Sequence, residues 1–278
     1  MRRGVFTVVV MACALAGAGA AAGDGGPGPG VSYGWTGITH GNMRYVTVPT
    51  PSWTTVEAIQ RNGGKVWGML NVEGQWGIPL VSYDGTTGGL LPDGRTLLLA
   101  EATAGPYLRS QSRFMFVDIK RMRKLGTFAL RGDFAYDAVS PDGHYLYLIQ
   151  HTTATDLTEY RVRAYDLRTR RLLPKIVADR RSWDTTMSGT AITRLSTNGW
   201  AYTLYGGSSS LPFIHALDTR HVSAVCINMP WKYQPEDIWN YRLRTDGDGH
   251  LVVRGRHGRA LVTIDRHSFR LVSFVSRP

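Results

Sequence analysis

The chain has 278 residues, of which 43% are hydrophobic and 19% charged, and its formal net charge is +11. A chain of this length buries a core large enough to be stable without disulfides. Beyond the N-terminal region, no apolar run reaches the length of about 20 residues that a membrane-spanning helix requires. Length and composition therefore exclude a disulfide-rich scaffold and a multi-span membrane protein.

The first 30 residues carry the signals of export. Arg2 and Arg3 precede an apolar stretch at residues 5–15, and small residues follow as far as Ala22. This is the order of a secretory signal peptide. We predict that residues 1–22 are removed and that residues 23–30, rich in glycine and proline, form a flexible leader. The mature protein is then secreted or extracytoplasmic.

The two cysteines have different predicted fates. Cys13 closes residues 10–13, which resemble a lipobox, so a lipoprotein acylated on Cys13 is the alternative to a released protein. Cys226 lies in an apolar stretch and is the single cysteine of the predicted mature chain. We expect no internal disulfide and a buried, unreactive thiol at Cys226.

After the leader, the sequence repeats itself about every 50 residues. Each clear copy has an Asp-Gly or Asn-Gly turn, a short apolar run, and then a hydrophobic residue followed by aspartate. The turn glycines are Gly94, Gly143, Gly199 and Gly249, and the aspartates are Asp118, Asp166, Asp218 and Asp265. A degenerate first copy has Gly41-Asn42 at the turn and Gln60 in place of the aspartate. Self-similarity at a fixed period predicts a repeat architecture.

Every predicted element within a unit is a strand. The apolar segments are short, rich in β-branched and aromatic residues, and bounded by hairpin-forming turns. In the clearest unit we predict strands A to D at residues 136–140, 145–149, 162–166 and 172–178. The aspartate opens the C–D turn, where its carboxylate accepts backbone N–H bonds. These units predict an all-β, five-bladed β-propeller of four-stranded antiparallel blades over residues 31–278; a β-sandwich would not predict the same turn and aspartate in each unit.

The clearest unit also resembles a known family. Its residues 140–147, Ser-Pro-Asp-Gly-His-Tyr-Leu-Tyr, followed by Ala-Tyr-Asp-Leu at 164–167, are similar to one repeat of the bacterial extracytoplasmic β-propellers of the YVTN and TolB-like type. The resemblance implies the propeller fold. That superfamily includes scaffolds, cell-envelope binding proteins, lactonases and dehydrogenase subunits, so the resemblance implies no single activity.

Charge and motifs restrict the partners. For an exported protein, 32 basic residues against 21 acidic ones do not indicate nucleic acid; an anionic cell-envelope polymer, a glycan or a protein partner fits better. We expect no cofactor and no metal, because the sequence has no phosphate-binding loop, no paired Cys-x-x-Cys and no His-Glu-x-x-His. Residues 246–249 resemble the start of a calcium loop, but His257 stands where a bidentate glutamate is required. We interpret them as a hairpin turn.

The repeat register predicts where a ligand binds. In a propeller the B–C and D–A loops open on one face around the channel mouth, and here their residues vary while the turns of the other face repeat. We expect an exposed rim of binding candidates, none of them catalytic: Glu101, Asp133, Asp137, Gln150, His151, Asp184, Arg256 and His257. His151 and His257 share one register, so both should face the opening.

Two functions fit this pattern. The absence of a nucleophile elbow or another catalytic motif favours a non-catalytic binding or scaffold protein at the cell envelope or outside the cell. The alternative is a secreted, glycosidase-like hydrolase or lyase, which needs an acid carboxyl group and a second carboxylate. Asp133 or Asp137 with Asp184 would supply that pair.

Overall fold

The computed structural model describes residues 30–34, 36–102, 108–156, 158–181, 185–197, 199–206 and 211–276. Within these ranges the regular secondary structure is 22 strands and two short 3₁₀ helices, Ile238–Asn240 and Arg256–Gly258. Cys13, the predicted signal peptide and the leader up to residue 29 lie outside them. None of the described helices is long and apolar enough to cross a membrane.

The described strands form five antiparallel sheets in chain order. Sheet 1 contains β2 (Ile38–His40), β3 (Met43–Pro49), β4 (Trp53–Gln60) and β5 (Val66–Glu73). Sheet 2 contains β6 (Trp76–Pro79), β7 (Thr96–Glu101), β8 (Gln111–Asp118) and β9 (Arg123–Arg131). Sheet 3 contains β10 (Asp133–Val139), β11 (Tyr145–His151), β12 (Glu159–Asp166) and β13 (Arg171–Val177), with β14 (Met187–Ser188) beside β12.

Sheet 4 contains β15 (Thr190–Thr197), β16 (Trp200–Gly206), β17 (Phe213–Asp218) and β18 (Ser223–Asn228). Sheet 5 contains β19 (Arg242–Thr245), β20 (Leu251–Arg254), β21 (Ala260–Ile264) and β22 (Leu271–Phe274). The prediction of an all-β fold built from four-stranded antiparallel sheets is confirmed.

The A–B turns have the predicted backbone conformation. All four repeat glycines have positive φ, which glycine adopts at little cost: 59° at Gly94, 70° at Gly143, 86° at Gly199 and 82° at Gly249. Each lies between the first and second strands of its sheet, so the repeat register is confirmed.

The C–D turns follow the prediction and add one feature to it. Asp118 Oδ1 accepts the N–H groups of Lys120 and Arg121 at 3.1 Å each, and the other three aspartates bond the residues two and three positions on in the same way. The residue four positions after each aspartate has a left-handed backbone although none is glycine: Met122, Arg170, Val222 and Phe269. In sheet 1, Gly64 occupies the equivalent position after Gln60 with φ 67°.

The core lies between the sheets. Among the described residues, four hydrophobic clusters join sheets 1 and 2, 2 and 3, 3 and 4, and 4 and 5. The side chains that alternate inward along each strand supply these layers. Each inner sheet therefore buries both faces, which explains why its central strands are almost continuously apolar.

Two features of the structure were not predicted. The N-terminal strand β1 (Val31–Ser32) pairs with β6 and gives sheet 2 a fifth strand. Residues 80–89 then leave sheet 2 between β6 and β7, turn back through a Leu80–Thr87 bridge, and rejoin the sheet. We term residues 80–89 the cross-sheet hairpin, because its tip reaches sheet 4.

Backbone hydrogen bonds fix that tip. Tyr83 N–H donates to Ala191 O at 2.9 Å, and Asp84 N–H donates to Ile192 O at 3.1 Å. Since Ala191 and Ile192 belong to β15, the cross-sheet hairpin connects sheet 2 directly to sheet 4.

Candidate functional site

A narrow pocket of about 30 Å³ lies where the cross-sheet hairpin meets sheets 3 and 4. Its lining includes Tyr136 and Asp137 of β10, His151 of β11, Tyr160 of β12 and Tyr205 of β16. We term it the mouth pocket, because these strands present it at the end where the B–C and D–A loops emerge. A cavity of this size admits about two water molecules or one small polar group.

Two buried polar atoms line the mouth pocket without a partner. His151 is 6% exposed and Tyr160 is 2% exposed, and neither His151 Nδ1 nor Tyr160 Oη makes a hydrogen bond within the described part of the chain. A buried polar group left unpaired costs about 1–3 kcal/mol. Such atoms therefore indicate a position that a water or a ligand group completes.

Two stacked tyrosines form one wall of the pocket. The rings of Tyr160 and Tyr205 lie 5.1 Å apart, close to parallel. Burial raises the pKa of both phenols above the usual value, and the neighbouring Tyr205 raises the pKa of Tyr160 further. Both tyrosines therefore keep their protons near neutral pH, and Tyr160 Oη is available as a hydrogen-bond donor.

Asp133 supports the pocket from behind His151. Arg109 Nε and Nη2 donate to Asp133 Oδ1 at 2.8 and 2.5 Å. His151 Nδ1 lies 3.5 Å from the same oxygen, too far and too poorly aligned for a good hydrogen bond. Burial by itself raises the pKa of Asp133, but His151 and Arg109 outweigh burial and hold that pKa below its ordinary value. Asp133 is therefore an ionised, paired carboxylate.

Asp137 and Arg194 form a second buried ion pair, which joins β10 to β15. Asp137 lies at an irregularity in the β10–β11 pairing, between Tyr136 and Ala138, and Arg194 Nη2 contacts its carboxylate directly. Burial by itself lowers the pKa of Arg194, but the charge of Asp137 outweighs burial and raises it. The pair joins sheet 3 to sheet 4.

The structure brings three of the eight predicted rim residues together. Asp133, Asp137 and His151 meet at or behind the mouth pocket, and all three are buried. The expected exposure of these side chains is wrong, because Asp133 and Asp137 are covered by their partners Arg109 and Arg194, and His151 lies opposite Asp133 on the neighbouring strand. His257 is exposed in the second 3₁₀ helix and does not line the mouth pocket, so the expectation that it faces one opening together with His151 stays a prediction.

The other predicted residues do not line the mouth pocket. Glu101 pairs with Arg113 Nη1 at 2.9 Å on sheet 2, and Gln150 Oε1 accepts a hydrogen bond from Arg163. Arg256 lies in the second 3₁₀ helix. Asp184 lies outside the described residues.

An aromatic pair borders the mouth pocket. Tyr83, at the tip of the cross-sheet hairpin, is 50% exposed, and Trp239, in the first 3₁₀ helix, is 47% exposed. Their ring centroids lie 6.0 Å apart at 85°, an edge-to-face contact. Sequence reasoning missed Tyr83 because its position depends on a hairpin that docks on a distant sheet.

A larger pocket of about 300 Å³ lies on the other side of the same layer, at the end that carries the A–B turns. It shares Val81, Tyr136 and Asp137 with the mouth pocket. These three residues lie between the two pockets and form the bottom of the mouth pocket.

Comparisons with known proteins identify similar structures but no family. No protein-family profile matches the sequence, and no curated protein matches it. TolB from Acinetobacter baumannii is 12% identical over 79% of this chain and 50% of its own, with a TM-score of 0.43. A functionally unknown protein from Desulfotomaculum acetoxidans is 16% identical over 86% of this chain and 71% of its own, with a TM-score of 0.45.

Hydrazine synthase from Kuenenia stuttgartiensis is 22% identical over 66% of this chain and 46% of its own, with a TM-score of 0.40. The chain thus spans about half the length of the hydrazine synthase and TolB chains that it matches. With TM-scores below 0.5, these similarities carry no argument about what the protein does.

Proposed function

We propose that the mature chain is an exported, five-bladed β-propeller that binds a ligand at the mouth pocket without catalysis, at the cell envelope or outside the cell. The succession of five four-stranded sheets, packed pairwise through four apolar layers, supports the propeller. The N-terminal pattern at residues 1–22 supports export, with acylation of Cys13 as the alternative to release.

The state of the two carboxylates supports binding over hydrolysis, and this observation carries the proposal. A glycosidase needs one carboxyl group whose raised pKa keeps it protonated until it acts as an acid. Asp133 has a lowered pKa beside Arg109, and Asp137 is buried against Arg194. Asp133 therefore lacks the raised pKa of a general acid, and the carboxylate of Asp137 is occupied by its contact with Arg194.

The chemistry of the pocket supports a glycan as the ligand. A hydroxyl group both donates and accepts hydrogen bonds. One sugar hydroxyl can therefore accept from Tyr160 Oη, and it can donate to His151 Nδ1 or accept from it, depending on which ring nitrogen carries the proton. The pocket volume admits only such a small group. The half-exposed rings of Tyr83 and Trp239 then offer flat apolar surface to the rest of the sugar, and tyrosine and tryptophan frequently carry the binding energy of such contacts.

Titration of the purified protein with peptidoglycan fragments and cell-wall oligosaccharides tests the proposal. We expect Tyr83→Ala and Trp239→Ala each to weaken binding by about tenfold or more, with an unchanged melting temperature. Tyr233→Ala is the matched control, because Tyr233 is 82% exposed and does not line the pocket. Shortened oligosaccharides in the mixture would instead favour the hydrolase, and equal losses in all three variants would contradict the mouth pocket as the site.

A further inference from the structure

The A–B and C–D turns of neighbouring sheets lie side by side and form one face, which we term the turn face. Tyr147 Oη of sheet 3 donates to Thr219 O in the C–D turn of sheet 4 at 3.0 Å. Arg266 Nη1, in the C–D turn of sheet 5, lies 3.5 Å from Thr197 Oγ1 at the A–B turn of sheet 4. A Cβ added to Gly94 of sheet 2 would meet the His40 ring of sheet 1 at 2.8 Å. The turn ends are therefore adjacent from sheet to sheet.

The turn face is strongly basic. Its described turns present eleven exposed lysine and arginine side chains and three exposed aspartates, Asp93, Asp142 and Asp248. The cations are Arg61, Lys65, Lys120, Arg121, Arg123, Lys124, Arg168, Arg170, Arg171, Arg220 and Arg270. Three of the four C–D aspartates are buried and accept backbone N–H groups within their own turns. Asp118 also pairs with Arg95 and lies 3.7 and 3.9 Å from Arg121 and Arg123, so it offsets part of the positive charge of the turn face.

We infer that the turn face docks on an anionic lipid surface. The cations emerge from the same turn in each sheet, so they stand at similar height around the face. A flat anionic surface brings all of them within the screening length of about 8–10 Å at once. A linear polyanion would instead need a basic groove. Among the residues that line the two large pockets at this end of the sheets, Arg170 is the single cation, and Asp137 lines one of the two pockets.

This docking orients the molecule. The mouth pocket lies at the opposite end of the sheets, so it faces away from the lipid and stays open to soluble or polymeric ligands. Lipid docking is independent of what the mouth pocket binds, and each can be tested without the other.

Vesicle co-sedimentation of the mature protein tests the inference, with phosphatidylglycerol mixed into phosphatidylcholine and pure phosphatidylcholine as the comparison. The test variant combines Lys120→Gln, Arg168→Gln and Arg171→Gln. The control variant combines Arg131→Gln, Lys232→Gln and Arg259→Gln, which removes the same charge from exposed positions near the other end of the sheets. The two variants share one net charge and differ only in where it was removed.

We expect the wild type to bind the anionic vesicles and to release them near 1 M salt, where the screening length falls to about 3 Å. The test variant should lose affinity on the order of 100-fold, because each basic residue near an anionic surface contributes about 1 kcal/mol. The control variant should lose less than tenfold. Equal losses in both variants would show that net charge alone drives binding, and would overturn the inference. So would failure of the wild type to bind, or equal binding to uncharged vesicles.

A soluble polyanion, such as a teichoic-acid-like polyglycerol phosphate, gives the remaining comparison. Face-dependent binding to that polymer without binding to vesicles would replace the lipid with a polymer as the partner. Circular dichroism of each triple variant confirms that the losses do not come from unfolding.

Discussion

Thr193 Oγ1 donates a hydrogen bond of 2.6 Å to Asp84 Oδ2, across 109 positions of sequence. The other carboxylate oxygen, Oδ1, accepts from Ser82 Oγ, Thr86 N and Thr86 Oγ1 at 2.7, 3.0 and 2.7 Å. One side chain thus shapes the tip of the cross-sheet hairpin and ties that tip to sheet 4.

Asp84→Ala should lower the free energy of unfolding by about 2–3 kcal/mol, because it leaves the buried Thr193 hydroxyl without its acceptor. Urea denaturation measures the loss. Asp156→Ala is the control, since Asp156 makes a similar local turn with Thr158 in an exposed loop, and it should cost about 0.5–1 kcal/mol. Equal costs would show that the link to sheet 4 contributes nothing.

Acid should weaken the same link. Burial by itself raises the pKa of Asp84, but its hydrogen bonds from Thr193, Thr86 and Ser82 outweigh burial and hold the pKa below 3.8. The folded pKa is lower than the unfolded one, so the stabilisation is complete above the unfolded value and is lost as the pH falls through the folded value.

The comparison of wild type with Asp84→Asn between pH 7 and pH 2 measures this loss. We expect the stability difference between the two proteins to shrink as the pH falls below about 4. The buried His215, whose pKa is lowered to about 4, also destabilises the fold in acid, but it does so equally in both proteins. A difference independent of pH would contradict the role of the Asp84 charge.

The left-handed residue of the C–D turn predicts a stabilising substitution. Arg170 is exposed and has φ 56°, a conformation that costs a non-glycine residue about 1–2 kcal/mol. Arg170→Gly should raise the free energy of unfolding by about 0.5–1 kcal/mol after the entropic cost of glycine is subtracted. Arg168→Gly, two positions earlier without positive φ, should lower it. Thermal denaturation of the two variants checks the opposite signs.

Two buried tyrosines should respond differently to loss of the hydroxyl. Tyr160→Phe removes an unpaired group and should leave the free energy of unfolding unchanged or raise it by up to about 1 kcal/mol. Tyr147→Phe removes a hydroxyl that donates to Thr219 O at 3.0 Å and should cost about 1–2 kcal/mol. Chemical denaturation separates the two cases, and a clear loss in Tyr160→Phe would mean that its hydroxyl is already bonded.

Local chemistry made most of the fold predictable. The turns that bound each strand depend on neighbouring residues, namely a glycine with positive φ and an aspartate that bonds its own turn. The prediction of strand A at residues 136–140 therefore lies close to the observed Asp133–Val139. The cross-sheet hairpin was not predictable. Residues 80–89 interrupt the first strand of sheet 2, and their conformation depends on Thr193 and on the backbone of β15.

The candidate site was predictable only in part. The register placed Asp133 and His151 at one end of sheet 3, and they do pair there. It did not identify their arginine neighbour, because Arg109 comes from a loop of another sheet. The repeat register also does not predict whether these side chains are buried. Whether a residue at the end of a strand faces solvent or the adjacent sheet depends on packing that the repeat does not encode.

The cross-sheet hairpin also sets an order of folding. Its anchor on β15 joins positions 109 residues apart, and contacts so distant in sequence form late because the intervening loop must first be closed. During synthesis from the N-terminus, sheets 2 and 3 are complete before β15 is available, and Tyr83 and Asp84 must wait for it. The hairpin therefore docks only after β15 has been made, and a chain interrupted before residue 190 keeps the hairpin undocked however well its first three sheets have formed.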